Sequence, residues 1–457
     1  MKRSKKLCIL LGILIAVCLA ALAAMLSEEK KEEIKTSGET VLSVESAKVT
    51  ALCWEQGGTT WSFHRGDDGW QYDDDAEFPV SDSAMDALLE PFRSLSAAFT
   101  IENAEDLGRY GLDEPTCTIT LTTDDETYTV KLGDHSTMDS QRYMDIGDGN
   151  VYLAVSDPLD AYDVELEDLI ANDDVPYFDE VSQIRFAGSE DYSVIYDENG
   201  KSICADDIYF TADGKPLDTS RVNSYISKLR YLDLTDYVTY RVTDEELSAY
   251  GLDDPELSVS VDYTDDGTSD TFVLHISRDP AEKKSAADAE DEEASDITAY
   301  ARVGDSKIIY QISGSSYRSL MAAGYNDLRH QEIFSGDFDD VTGIDVTLDG
   351  ETYTLTSQKD GKERTWLCGE AEIKIGDLQD ALETLTAEEF TSEKATGQQE
   401  ISLTLHLDHE DEPELTITLY RCDGSKCLAV VDGKSVAYVP RGEMVTLAEA
   451  VRVFALN

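Results

Sequence analysis

Apolar positions along this chain recur with two periods. The first is helical. Met85, Leu88, Leu89, Phe92 and Leu95 fall at i, i+3, i+4, i+7 and i+10, the stripe of a helix with one core-facing side. Val222, Tyr225, Ile226, Leu229 and Leu232 repeat the spacing 137 residues later, and Leu378, Ala381, Leu382 and Leu385 begin it a third time. N-cap candidates stand just before each: Ser81 or Asp82, Thr219 or Ser220, and Asp377. Pro91, inside the first stripe, is expected to kink or shorten that helix. The second period is two. Cys117, Ile119 and Leu121 alternate with Thr, and Leu257, Val259 and Val261 alternate with Ser, as half-buried strands do. Turn-punctuated stretches such as TTWSFHRGDDGWQY, YSVIYDENGKSICA and YTLTSQKDGKERTWLCG precede the three helical stripes. Runs of strands with one helix apiece predict an α+β fold of mostly antiparallel sheet, each sheet packed by an amphipathic helix.

The pattern repeats in tandem. Tyr110-Gly111-Leu112-Asp113-Glu114-Pro115 returns 140 residues later as Tyr250-Gly251-Leu252-Asp253-Asp254-Pro255. Each copy follows a short acidic helical stretch and precedes an alternating strand. A glycine ends a helical turn because positive φ costs it little, the leucine plugs the adjacent core, and the proline forces the chain extended. These residues therefore read as a structural motif. Three units follow: 44–178, 179–332 and a divergent third at 333–457, which lacks the motif. Within the second, the charged, low-complexity run 281–296 interrupts a strand pair between Phe272–Ile276 and Ala299–Val303 and reads as a loop.

Ahead of these units, Leu7 to Leu26 contains 20 residues without a charge, preceded by Lys2, Arg3, Lys5 and Lys6. At about 1.5 Å per residue such a segment spans a hydrocarbon core of roughly 30 Å. Residues 1–26 thus read as a basic end and transmembrane helix, and 27–43 as a polar stalk. The basic flank places the N-terminus in the cytoplasm and the bulk outside, as a single-pass protein of the cell membrane. A cleaved signal peptide is the competing reading, with Ala21-Leu22-Ala23 as its site; the apolar run continues beyond it.

Composition then narrows the chemistry. In 457 residues, 37 Lys and Arg face 95 Asp and Glu, for a formal net charge of -58. No basic stripe offsets that field, which excludes nucleic acid as a partner. Hydrophobic residues make up 41%, enough to build cores. Phosphate-loop, dinucleotide, zinc-protease and serine-hydrolase fingerprints are all missing from the sequence, so no cofactor and no catalytic residue is assigned. The weak metal candidates are His406, Asp408 and His409, whose spacing at a strand end could gather two imidazoles and a carboxylate; a polar turn is the competing reading. Cys422 and Cys427 flank a turn sequence and form a candidate disulfide, against free thiols.

The apolar segment followed by repeated acidic turn, YGLDxP and strand resembles the bacterial domain-of-unknown-function family 4340. Tyr110–Pro115 and Tyr250–Pro255 carry the likeness, which covers 44–330 well and the third unit weakly. Relatives are often encoded beside ABC-type transporter genes. The resemblance implies a membrane-tethered extracytoplasmic interaction module, a non-catalytic accessory of an ABC-type transport or envelope system with a protein partner there. A solute- or carbohydrate-binding ectodomain is the alternative, and an envelope hydrolase using His406 and His409 a third reading.

Overall fold

The computed structural model describes residues 38–136, 141–286, 297–360 and 363–455. Strands dominate. Among the described residues, twenty-seven strands form three nine-stranded sheets: β1–β9 between Glu39 and Ala154, β10–β18 between Glu180 and Ile312, and β19–β27 between Val341 and Pro440. Every strand pairing among the described residues is antiparallel. The helices are α1 (Asp82–Arg93), α2 (Thr219–Arg230), α3 (Pro280–Ala286), α4 (Gly314–Met321), α5 (Tyr325–Leu328), α6 (Gly376–Glu383) and α7 (Arg441–Ala455). The chain divides into two compact units, one ending at Asn172 and one from Asp173 to Asn457 that holds the second and third sheets.

One topology is used three times. The second sheet has the order β13-β12-β11-β10-β15-β16-β17-β18-β14 and the third β22-β21-β20-β19-β24-β25-β26-β27-β23, which is the same order element for element. A four-strand meander leads to a helix and then to a short strand. A second meander follows, and its first strand returns to pair with the first strand of the opening meander. The first sheet keeps this plan with a three-strand opening meander, β2-β3-β4, and gains β1 at the far edge beside β5. The third unit is therefore a structural repeat of the second although it lacks the YGLDxP motif.

The helical stripes form where the period predicts, with corrected ends. Met85, Leu88, Leu89 and Phe92 of α1 are buried, while Leu95 opens β5. Ser81 caps α1, its Oγ accepting from the Ala84 N–H at 3.2 Å. Pro91 lies inside α1, which ends two residues later at Arg93. In α2 the cap is Asp218 rather than Thr219 or Ser220; its Oδ1 accepts from the Ser220 and Arg221 N–H groups. Asp377 sits in the first turn of α6 and does not cap it.

The expected fold class needs correction on two points. First, the sheet is mostly antiparallel as expected, but helices are few beside three nine-stranded sheets. A 12-residue helix is about 18 Å long, whereas nine strands spread over roughly 40 Å, so one helix covers only part of each sheet. The third sheet uses two, α6 and α7, whose Leu378, Ala381, Leu382, Leu447 and Val451 enter one core with Ile344, Leu403 and Leu419. Second, no described helix is long and apolar enough to cross a membrane. The segment read as an anchor, 7–26, and most of the stalk read at 27–43 lie outside the described residues. The described residues thus contain no transmembrane helix, and the expected single-pass membrane placement is not supported. The run 281–296 begins within α3, and 287–296 lie outside the described residues.

Candidate functional site

The repeated motif has the same geometry in both copies. A 3-10 turn, Leu107–Tyr110 or Leu247–Ala249, brings the N–H of Leu112 onto the Leu107 carbonyl at 3.1 Å and that of Leu252 onto Leu247 at 3.0 Å. Gly111 and Gly251 follow with φ of +69° and +70°, and Leu112 and Leu252 are buried. Tyr110 packs on Tyr143 and Tyr250 on Tyr300, with ring centroids 5.0 and 5.1 Å apart. Pro115 and Pro255 lead into β6 and β15. Space as well as φ demands glycine at the first copy: a Cβ on Gly111 would lie 2.6 Å from the Asp134 carboxyl carbon. After Pro255, Glu256 gathers three donors: Lys283 Nζ at 2.6 Å, the Arg278 N–H at 2.9 Å and the Tyr317 hydroxyl at 2.7 Å. Burial pushes its carboxyl up, but these donors outweigh burial and hold it below the usual range. The motif clamps the entry of a meander.

The predicted metal candidates do not converge. His406, on β24, directs Nε2 to Asp345 on the neighbouring β19 at 2.9 Å and Nδ1 toward Glu414 on β25 at 3.3 Å. His409 lies in the following turn, where its Nδ1 accepts from the Glu412 N–H. Asp408 donates its backbone N–H to the Asp340 carbonyl. An imidazole at the end of the β24–β25 ladder and one in the turn thus face different partners. Cys427 is buried on β26 opposite Arg421, whereas Cys422 is exposed at the turn; both are free thiols. Asp145, Asp148 and Asn150 shape a hairpin turn through bonds such as Asp145 Oδ1 accepting from the Gly147 N–H.

A different cluster comes together where the second and third sheets are joined. Cys204 and Asp207 belong to the loop from β11 to β12, and His330 and Glu332 to the segment from α5 to the third sheet. His330 Nε2 lies 2.9 and 3.0 Å from the two Asp207 oxygens, and its Nδ1 lies 3.8 Å from Glu332. Ser202 Oγ donates to Asp207 at 2.7 Å. One donor atom each from Cys204, Asp207 and His330 fall within 4.8 Å of one another, and so do those of Asp218, His330 and Glu332. Asp207 is 1% exposed and His330 17%. The surrounding cleft, of about 330 Å³, is also lined by Asp206, Asp337 and Glu383 and, among the described residues, by no lysine or arginine. Arg221 reaches Asp218 from outside at 3.4 Å.

Burial alone would depress the His330 imidazolium, but the hydrogen bond and charge of Asp207, with the charges of Asp218 and Glu332, raise it above its ordinary value. Burial pushes the Cys204 thiol up, against a backbone hydrogen bond from Asp206, and the charges of Asp207 and Asp206 add to the rise. Sequence reasoning assigned no role to these residues. Cys-x-x-Asp and His-x-Glu are ordinary spacings in a chain with 95 acids, and His330 stands 126 positions after Cys204. In the first unit, a groove of about 570 Å³ beside α1 is lined by Pro91, Ser94, Val155 and Asp157 among others. Asp157 is engaged there by Arg142 at 2.7 Å.

A family model described as Domain of unknown function (DUF4340) matches residues 70–255 and again 209–404, two overlapping matches that fit tandem modules. Neither the curated proteins nor the solved structures contain a match to the chain.

Proposed function

From the premise that this chain belongs to the DUF4340 family, we propose that it is a non-catalytic interaction module, an accessory to an ABC-type transport system. One observation carries the reading: the same sheet is built three times, and each copy turns a polar face away from its core. Strands β6, β15 and β24 bury alternate apolar residues, leaving Thr118 and Thr120, Ser258 and Ser260, and Ser402 and Thr404 on the half-buried opposite side. Repetition of this kind multiplies surface. The sheet edges β1, β4, β13, β14, β22 and β23 are two to four residues long, which discourages recognition by strand addition and favours contact through sheet faces and loops. The net charge of -58 favours a partner with a basic face.

In-cell crosslinking followed by mass spectrometry tests this. The expected result is enrichment of a permease or ATPase subunit of an ABC-type transporter over a control of similar charge. Recovery of the chain with no transport subunit overturns the reading.

A further inference from the structure

The cluster at the junction of the second and third sheets combines sulfur, nitrogen and oxygen donors, which a plain ion pair does not need. An Asp207–His330 pair accounts for two of them. It leaves unexplained a thiol on the same approach, in a cleft that exposed carboxylates such as Asp206 and Glu383 also line and that holds no lysine or arginine among the described residues. Carboxylates gathered around one cleft give it a negative field that favours a cation there.

We propose that Cys204 Sγ, the Asp207 carboxylate and His330 Nε2 bind a transition-metal ion of the zinc class. One donor atom of each falls within 4.8 Å of the others, and Nε2 is the His330 nitrogen that faces Asp207. Ligands around tetrahedral zinc stand about 3.3–3.8 Å apart, so a shift of about an ångström closes the set. The donor types decide the class of ion: thiolate and imidazole suit zinc, cobalt or nickel, whereas calcium and magnesium take oxygen shells. As the metal–sulfur bond forms, the Cys204 proton leaves to solvent. Glu332, 3.8 Å from Nδ1, stands on the far side of the ring, where an outer carboxylate fixes the orientation of a metal-bound histidine. Ser202 holds Asp207 in the same way. The third carboxylate-bearing group of suitable spacing, Asp179 with Asp265 and Asp266, is oxygen alone and exposed or half-exposed, and receives no assignment.

The site has a structural consequence. Its ligands come from a loop of the second sheet and from the segment entering the third. Ile203, beside Cys204, already packs against the third sheet's core, and a Cβ on Gly336 would lie 3.3 Å from the Ile203 carbonyl. Lys201, in the same loop, pairs with Asp411 at 2.7 Å. A bound ion would therefore fasten the two sheets together at a point where packing has already brought them close. This assignment stands independently of the transport-accessory reading.

The test is titration of the metal-free, full-length protein with Zn²⁺ and with Co²⁺ in excess Mg²⁺, which saturates diffuse binding to the acidic surface. One ion per chain is expected, with a thiolate-to-cobalt charge-transfer band in the near ultraviolet. Cys204→Ser should abolish that band. His330→Gln should weaken Zn²⁺ binding by at least about tenfold, while His406→Gln leaves it unchanged. Circular dichroism of each metal-free variant checks its fold. The wild-type cobalt spectrum is decisive without any variant: absence of the charge-transfer band overturns the proposal. So does Zn²⁺ binding that Mg²⁺ displaces, or binding that folded Cys204→Ser and His330→Gln variants retain in full.

Discussion

At the residue scale, the two copies of YGLDxP show how a glycine is fixed by both conformation and space. Gly111 has φ +69° and would place a Cβ against Asp134, whereas Gly147 has φ +85° with nothing within 4 Å of such an atom. Gly147→Ala should cost only the left-handed penalty, about 1–2 kcal/mol. Gly111→Ala adds displacement of Asp134 and should cost more, reaching about 3 kcal/mol. Urea midpoints measure the difference, and equal costs would show that Asp134 yields freely.

Glu256, next to the second copy, gives a pH prediction. Its carboxyl is held below the usual range in the folded state, so the unfolded chain binds protons at a higher pH than the folded one does. Its contribution is therefore complete above the unfolded carboxyl value and is lost as pH falls through the folded one. Glu256→Gln should be less stable than the parent at neutral pH, with the gap narrowing on acidification. A gap independent of pH would assign the loss to packing alone. The motif was legible in the sequence, since two copies in matching context signal a repeated turn; the ligands of Glu256 were not, because Lys283, Arg278 and Tyr317 lie 22 to 61 positions away.

At the element scale, helix periodicity proved a better guide than cap chemistry. The stripes at Met85 and Val222 depend on side chains a turn apart and were legible directly. The caps depend on where the preceding chain turns extended, which each sheet settles by placing its last strand. Asp218 takes the role at α2 because its backbone is already extended there, with φ -67° and ψ 109°. Ser81→Ala should cost about 1 kcal/mol, while Asp377→Ala, which removes no cap bond, should lie within about 0.5 kcal/mol of neutral. Chemical denaturation of both variants checks the contrast. Core positions of the stripe behave differently: Leu88→Ala, at a site 2% exposed, should cost about 2–5 kcal/mol by the same measurement.

At the scale of the whole molecule, charge and repetition set the behaviour. A chain of net charge -58 repels itself in its compact state, and salt screens that repulsion. The melting temperature should rise as NaCl is raised from low to physiological ionic strength at neutral pH. A fall would mean that ion pairs such as Arg142–Asp157 outweigh the net repulsion.

By itself, the sequence determined which residues face inward, that sheet and short amphipathic helices alternate, and that the chain is modular. These depend on local spacing, and spacing survives any arrangement of the elements. The neighbour of each strand was decided only in three dimensions. Alternation tells β10 and β19 which side to bury, yet their partners β15 and β24 begin dozens of residues later, past a helix. The same long-range pairing revealed the third repeat where the motif is missing. It separated His406 from His409, and it carried Cys204 and Asp207 to His330 across 126 and 123 positions. A binding cluster assembled from two distant loops leaves no period and no local spacing to detect, because its geometry arises from the packing of one sheet beside the next.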